Sequence, residues 1–483
     1  MPYFPKQISL ADIIDGFDET VASKPVKLFN LLDQYFDIST YIPLKWHMEY
    51  NNWNGRPRKY SLKSLLYALI IQRFLSIPTT KLLVNILSIS ETLASFCGFF
   101  DSIPDESVFC RFKKRFVDYI NDFFHNLVDK AQSICLELDP DLARTLIADT
   151  TGFEAYVKEN NPKFFTSILN KLKESNPSLS TSQLYALAAS SMPKGASCDD
   201  SIRLQYVNGH YAYAHKGVIV TNGLGIPLYV DIPDNSVNPN ECSSSSASSD
   251  EVKDKEQDMV HHKALSDSRM FIPALENLLK RHRHFCFDYV LGDSGFDATK
   301  NYQFVVEDMD AIPVIPINPR NSDASLPCVG MSADGTPTCP RDPNLVMRYA
   351  GICKGKNRSL RIKYECPRMK RVPGGCVLSC SNPCTTSKWG RMTYVYPKDN
   401  YRVNTPIPRN SDVWDFLYSR RIVVEQTISR LKLPLLMGSL VTRDRVSIKA
   451  DLLLAGCVQL ITLIVAYRAG MLDKMRSSKS LVA

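Results

Sequence analysis

Twice in this chain a short apolar run closes on an aspartate with a glycine just beyond it. Thr145-Leu-Ile-Ala148 leads into Asp149-Thr-Thr-Gly152, and Phe287-Asp-Tyr-Val-Leu-Gly292 leads into Asp293-Ser-Gly295. Short apolar runs bounded by turn formers read as buried strands, so each pattern predicts a strand ending at a carboxylate. Taken alone, Asp149 could equally cap its turn. Between the two acids, Ile202–Val207, Gly217–Gly223 and Leu224–Val230 are separated by turn signals at Asn222-Gly223 and Gly225, which predicts an antiparallel meander. Ser266–Arg281 reads as a helix capped at Ser266 or Asp267, with cations in its last turn, and Ala298–Glu307 as another. Ile312–Ile317 supplies one more strand. The order strand, meander, helix, strand, helix, strand predicts an α/β fold, a mixed sheet with helices on its faces. Ligands of open α/β sheets gather at the carboxyl ends of strands, so Asp149 and Asp293 converge if their strands are neighbours.

A third carboxylate lies far downstream, in Tyr418-Ser-Arg-Arg421-Ile-Val-Val-Glu425-Gln-Thr-Ile-Ser-Arg-Leu-Lys432. With Tyr418 at zero on an ideal helix, Arg421 falls near roughly 300°, Glu425 near 340° and Lys432 near 320°. Leu417, Val424, Ile428 and Leu431 form an apolar stripe beside them. One edge of the helix is built to pack, and the next presents a carboxylate flanked by cations. Standing alone, this is also the pattern of a surface helix with an Arg–Glu pair at i,i+4.

Around this core the chain changes character. Residues 1–140 read as helical, with Pro104-Asp-Glu-Ser107 leading into a helix over Val108–Phe116. There Phe109, Phe112 and Phe116 share a packed face, and Arg111, Lys113, Lys114 and Arg115 are placed on the remaining surface. A basic helix after a short helix and turn suits a helix-turn-helix-like DNA contact, and equally a solvated basic face. Residues 158–200 read as a polar helical insertion. Residues 234–258 are Ser-rich and charged, ending near His261-His262, which reads as a loop with solvated histidines.

Seven of the fourteen cysteines fall between 321 and 405: Cys328, Cys339, Cys353, Cys366, Cys376, Cys380 and Cys384. The chain opens without the pattern of an export signal, so they are expected to be reduced thiols or metal ligands rather than disulfides. The set Cys366, Cys376, Cys380 and Cys384 is either a structural Zn²⁺ site in a loop-rich segment short of core, or four buried thiols. Leu452–Tyr467 is apolar but holds Gln459, and reads as a buried C-terminal helix shorter than a membrane span. A net charge of +8 permits a polyanionic partner without requiring one.

The spacing Y-x2-R-x3-E-x6-K, met at Tyr418, Arg421, Glu425 and Lys432, resembles the signature helix of bacterial insertion-sequence transposases of the DDE class. The resemblance extends to Asp293-Ser-Gly-Phe296-Asp, to the helical N-terminal region and to an insertion before the Glu helix. It implies four regions along the chain: a helical DNA-binding domain at 1–140, the first part of an RNase H-like catalytic core at 141–320, the Cys-rich insertion at 321–405, and the Glu helix with a C-terminal helix completing the core at 406–470. It implies that Asp149, Asp293 and Glu425 hold Mg²⁺ or Mn²⁺. Arg421 and Lys432 then contact phosphates, and Tyr418 hydrogen-bonds a phosphate near the cleaved end. In that family an aromatic of the insertion helps hold a displaced base, a part open here to Trp389 or Trp414. The expected function is metal-dependent cleavage and strand transfer at terminal inverted repeats of double-stranded DNA, by a homodimer in a synaptic complex in the bacterial cytoplasm, associated with the nucleoid and not with a membrane. A domesticated, non-catalytic DNA-binding protein, and a nuclease without joining activity, are the alternatives.

Overall fold

The computed structural model describes residues 27–51, 57–177, 179–207, 209–233, 267–318, 330–332, 335–353, 359–387 and 389–482. The Ser-rich segment, His261-His262, Cys328 and the Ser266 cap lie outside them.

Mixed α/β architecture organises the chain, with a helical N-terminal region and a seven-stranded mixed sheet. The strands are β1 (Thr145–Glu154), β2 (Gly195–Ala196), β3 (Asp199–Val207), β4 (His210–Asn222), β5 (Pro227–Asp231), β6 (Tyr289–Leu291) and β7 (Ile312–Val314). Their order is β2-β3-β4-β1-β6-β7, with β5 paired to β4. The meander is antiparallel, as its turns predict, while β1, β6 and β7 run parallel. Polar helices Pro162–Ser175 and Thr181–Ser190 are inserted between β1 and β2.

One strand differs from its sequence pattern. β1 does not end at Asp149 but pairs with β4 as far as Glu154↔Ala214. Gly152, which reads as a turn residue, lies inside the strand because Val207 crosses it closely: a Cβ there would stand 2.4 Å from Val207 Cγ2. The parallel pairing with β6, by contrast, stops at Ile147↔Leu291. Asp149 therefore still sits just beyond the parallel part of the sheet.

Four helices matter most for the core: α1 (Leu62–Phe74), α2 (Glu106–Arg115), α3 (Val117–Leu138) and, at the far end of the chain, a helix of 24 residues, Arg445–Arg468. That last helix is longer than its apolar run and, by length and composition, is long enough to cross a membrane, yet 94% of its most apolar window is buried inside the protein. It packs on α1, α2, α3 and β5. Its Gly456 lets the ring of Phe124 approach, since a Cβ there would stand 2.7 Å from Phe124 Cε2.

The cysteine-rich segment forms a three-stranded sheet from Arg348–Cys353, Arg361–Glu365 and Met392–Val395, with a hairpin of Met369–Val372 and Gly375–Leu378 beside it. Its own core is small: Met347, Ile362, Tyr364 and Val395.

Candidate active site

The site is built at the edge where β1 and β6 part. Because Leu146 pairs with Val290 and Ile147 with Leu291, Asp149 and Asp293 stand at equivalent positions, two residues beyond the last parallel pair. Gly292 lets the Phe296 ring fold back, since a Cβ there would stand 2.8 Å from Phe296 Cδ2, and Asp293 caps a short 3₁₀ turn, Ser294–Phe296, by accepting from the Gly295 amide at 2.9 Å. Behind this turn, Asp297 is fully buried and takes a two-pronged ion pair from Arg402, at 2.7 Å from Nε and 2.6 Å from Nη2. Tyr302 Oη donates to Asp297 at 2.9 Å. The segment leaving the cysteine-rich region is thus bolted to the loop that carries Asp293.

The Glu425 helix arrives in two pieces, α4 (Asp412–Ser419) and α5 (Ile422–Lys432). A single helix through Tyr418 and Glu425 does not form. Arg420 and Arg421 keep right-handed dihedrals, but Arg421 N–H reaches Tyr418 O and Val424 N–H reaches Arg421 O, bonds of 3₁₀ spacing that overwind the junction. The junction turns Arg421 toward the sheet. Its Nη1 stands 3.6 Å from Asp149 Oδ2, and its Nη2 donates to Glu425 Oε1. Val424, Ile428 and Leu431 are buried, as the apolar stripe predicts. Trp414 is buried too, stacked on Tyr418 with centroids 6.2 Å apart, whereas Trp389 is half-exposed.

Electrostatics bear out the crowding. Burial and then the neighbouring Asp293 push Asp149 up to about 7. Burial and then Asp267 raise Asp293. Burial opposes the charge on Arg421, but Asp149, Tyr418, Glu425 and Asp293 outweigh it and hold the guanidinium above its ordinary value. Lys432 is lowered by burial, against Glu154 and Asp149. Burial raises Tyr418.

These shifts carry a stability consequence. Between about pH 4 and pH 7 the folded protein keeps a proton on Asp149 that the unfolded chain, with an ordinary carboxyl near 3.8, has lost. Stability from this site is therefore greatest at low pH and declines as pH rises through that window. Asp149→Asn is expected to raise the unfolding free energy at pH 8 by an amount on the order of a few kcal/mol, and to change little at pH 4. Urea titrations of both proteins at the two pH values check this, and a gain equal at both would contradict it.

Hard carboxylate oxygens suit Mg²⁺ or Mn²⁺, and a divalent ion would offset the like charge that adds to burial at each aspartate. The aspartate pair fits such an ion. Glu425 is turned to Arg421 instead, and among the described residues no group of three or more His, Cys, Asp and Glu side chains stands in metal-holding geometry. The same holds for the cysteines. The structure does not gather Cys366, Cys376, Cys380 and Cys384 into a Zn²⁺ site. Cys366 is buried at the end of its strand, Cys376 faces Arg371 across the hairpin, Cys380 lies 4.0 Å from Arg368, and Cys384 pairs with Cys339.

The basic helix α2 buries one of its four cations. Phe109, Phe112 and Phe116 are buried as expected, but so is Lys113, whose ammonium donates to Asp451 Oδ1 at 2.9 Å. Lys113 lies four residues after Phe109 and so shares the packed face. The lone Asp451 in an apolar helix was the signal for a buried cation. Arg111, Lys114 and Arg115 do line a surface groove, joined by Arg58, Lys59, Tyr50 and Tyr60. Arg58 lies over the Tyr50 ring at 5.2 Å and Lys59 over Tyr60 at 5.3 Å. No carboxylate lines the groove among the described residues. Two further residues belong to the acidic edge, Asp267, which the sequence marks only as a helix cap, and Lys216, which it does not mark; they pair at 2.6 Å.

Residues 22–115 match a family model described as Transposase domain (DUF772). That match supports a transposase family and takes in α1, α2 and the basic groove. No curated protein matches the chain.

Proposed function

We propose that this protein is a DDE-type transposase that cuts and joins DNA at the ends of its element, with the mixed sheet as an RNase H-like core. The observation that carries the reading is the placement of Asp149 and Asp293 side by side past the parallel strands, with Arg421 linking Asp149 to Glu425. The family match at the N-terminal region supports it from the other end of the chain.

Asp149 and Asp293 would hold a divalent ion, and Glu425 would join them on releasing Arg421. The ion, when bound, supplies charge neutralisation at the scissile phosphate and an activated attacking oxygen. Arg421, so released, is left facing the phosphate, and Lys432 stands near Asp149 and Glu154 to take the next one along. Tyr418 donates its hydroxyl to a phosphate oxygen. The basic groove gives duplex DNA a purchase that carries no base information. A link leads from groove to site. Lys114 pairs with Asp444 at 3.5 Å, and the adjoining Arg443 donates to Tyr156 O, just past the end of β1, at 2.9 Å. The assembly proposed is a homodimer holding two element ends.

The test is incubation of the full chain with its flanking DNA and Mn²⁺, followed by sequencing of the products. Nicks at inverted-repeat ends together with joined products are expected. Cutting without joining would leave the nuclease reading, and binding without cutting the non-catalytic one.

A further inference from the structure

The acidic edge has a second wall. Side chains alternate across a strand, so Thr150, one residue after Asp149, points to the opposite face of the sheet. Lys216 on β4 pairs with Gly152 and shares the Thr150 face. A helix starting at Asp267 (Asp267–Arg281) brings a fourth carboxylate there. Its Oδ1 accepts from Thr150 Oγ1 and lies 2.6 Å from Lys216 Nζ. Its Oδ2 reaches Gly295, where a Cβ would stand 2.9 Å from it and 3.0 Å from Asp293 Oδ1. Asp267 and Asp293 thus flank one glycine, and Lys216 stands beside both.

A merely structural pair is a poor account of this arrangement. The Lys216 and Asp267 side chains keep 17% and 29% exposure, so the ammonium stays within reach of solvent at the edge. Here the pair sets its carboxylate against the same glycine that Asp293 Oδ1 approaches, which holds the ammonium at the edge the aspartates occupy. We infer that Lys216, aimed by Asp267, is a phosphate-binding residue of the DNA site. Arg421 and Lys216 then straddle the Asp149–Asp293 pair from the two faces of the sheet, so a phosphate drawn over the aspartates meets a cation on each side. An ammonium is a compact point charge with three donors, and it can be shared between its carboxylate and a phosphate oxygen. Asp267 is a positioning residue in this account. The inference rests on the reading of the site as one that works on DNA.

The test measures the affinity of the full chain for duplex DNA across a salt series, with and without Mn²⁺. Loss of one phosphate contact lowers the slope of log affinity against log salt by about one. Lys216→Gln is expected to show that drop and Lys216→Arg to keep the original slope. Asp267→Asn should reproduce the Lys216→Gln slope, and the double variant should add little to either, as coupled residues do. An unchanged slope in Lys216→Gln, with thermal melting alone altered, would reduce the pair to a structural one. A raised Mn²⁺ requirement in Asp267→Asn with an unchanged slope would put Asp267 among the metal-facing carboxylates and overturn the positioning role. Absence of DNA binding by the unaltered protein would remove the DNA reading itself, a result distinct from either.

Discussion

Asp293→Asn protein is expected to bind DNA at least as well as the unaltered protein and to cut it roughly 10²–10³-fold more slowly or worse, as is usual when a group that stabilises charge in a reacting centre is removed. The amide keeps the shape of the side chain and can still accept from the Gly295 amide, so the 3₁₀ turn stays capped. What disappears is one of two adjacent hard oxygen donors. Asp149→Asn and Glu425→Gln should fail in the same way, although the three side chains are anchored differently. Asp149 is held by Arg421 and by the Thr150 amide at 2.8 Å, and Glu425 by Arg421. DNA affinity should hold or rise in all three, because each substitution removes negative charge from a surface that must receive phosphate. A gel assay of cleavage beside an anisotropy assay of binding separates the two quantities. Cutting at the unaltered rate by the Asp293→Asn protein would sink the enzymatic proposal.

The second large effect lies in the core. Asp451→Ala is expected to cost about 3–5 kcal/mol of stability, the range for breaking a buried ion pair by removing one partner. Asp451 is buried in the long apolar helix and accepts from Arg73 Nη2 at 2.7 Å and from Lys113 Nζ at 2.9 Å. Burial alone would raise its carboxyl, yet the two cations outweigh burial and hold it below the ordinary range. Its contribution is therefore present at neutral pH and lost as pH falls through the carboxylate range. Alanine leaves Arg73 and Lys113 buried with no countercharge from Asp451. Arg73 also donates to Leu435 O, in the turn that follows α5, so the damage should spread toward the Glu425 helix. Lys113→Met should cost less, since Asp451 keeps Arg73. Denaturant midpoints check the order, and a loss under about 1 kcal/mol for Asp451→Ala would mean that water reaches the triad.

Much of this was legible in the chain. The alternation of apolar runs and turn formers yields the meander, because Gly225 takes a positive φ of 75° that other residues resist and Asn222 Oδ1 accepts from the Leu224 and Ile226 amides. Phe109, Phe112 and Phe116 declare the packed face of α2 by spacing alone. Other parts were not legible, each for a local reason. Gly152 reads as a turn, yet what it serves is the close passage of Val207 from a strand some fifty residues downstream, which no neighbour in sequence reports. The break between Tyr418 and Glu425 lies in residues with ordinary helical dihedrals, so composition carries no sign of it. Lys113 looks like its basic neighbours until Asp451 faces it.

The sequence by itself determined the elements and the acids they carry, since strand and helix periodicity depend on neighbours within a few residues. Which acids meet was decided by tertiary structure. The parallel register of β1 and β6 sets Asp149 beside Asp293, the overwound junction aims Arg421 between Asp149 and Glu425, and a helix start from the other face adds Asp267 with Lys216. Long-range pairing of this kind is fixed by packing across the whole sheet, and charge at a distance along the chain becomes chemistry when that packing closes the distance in space.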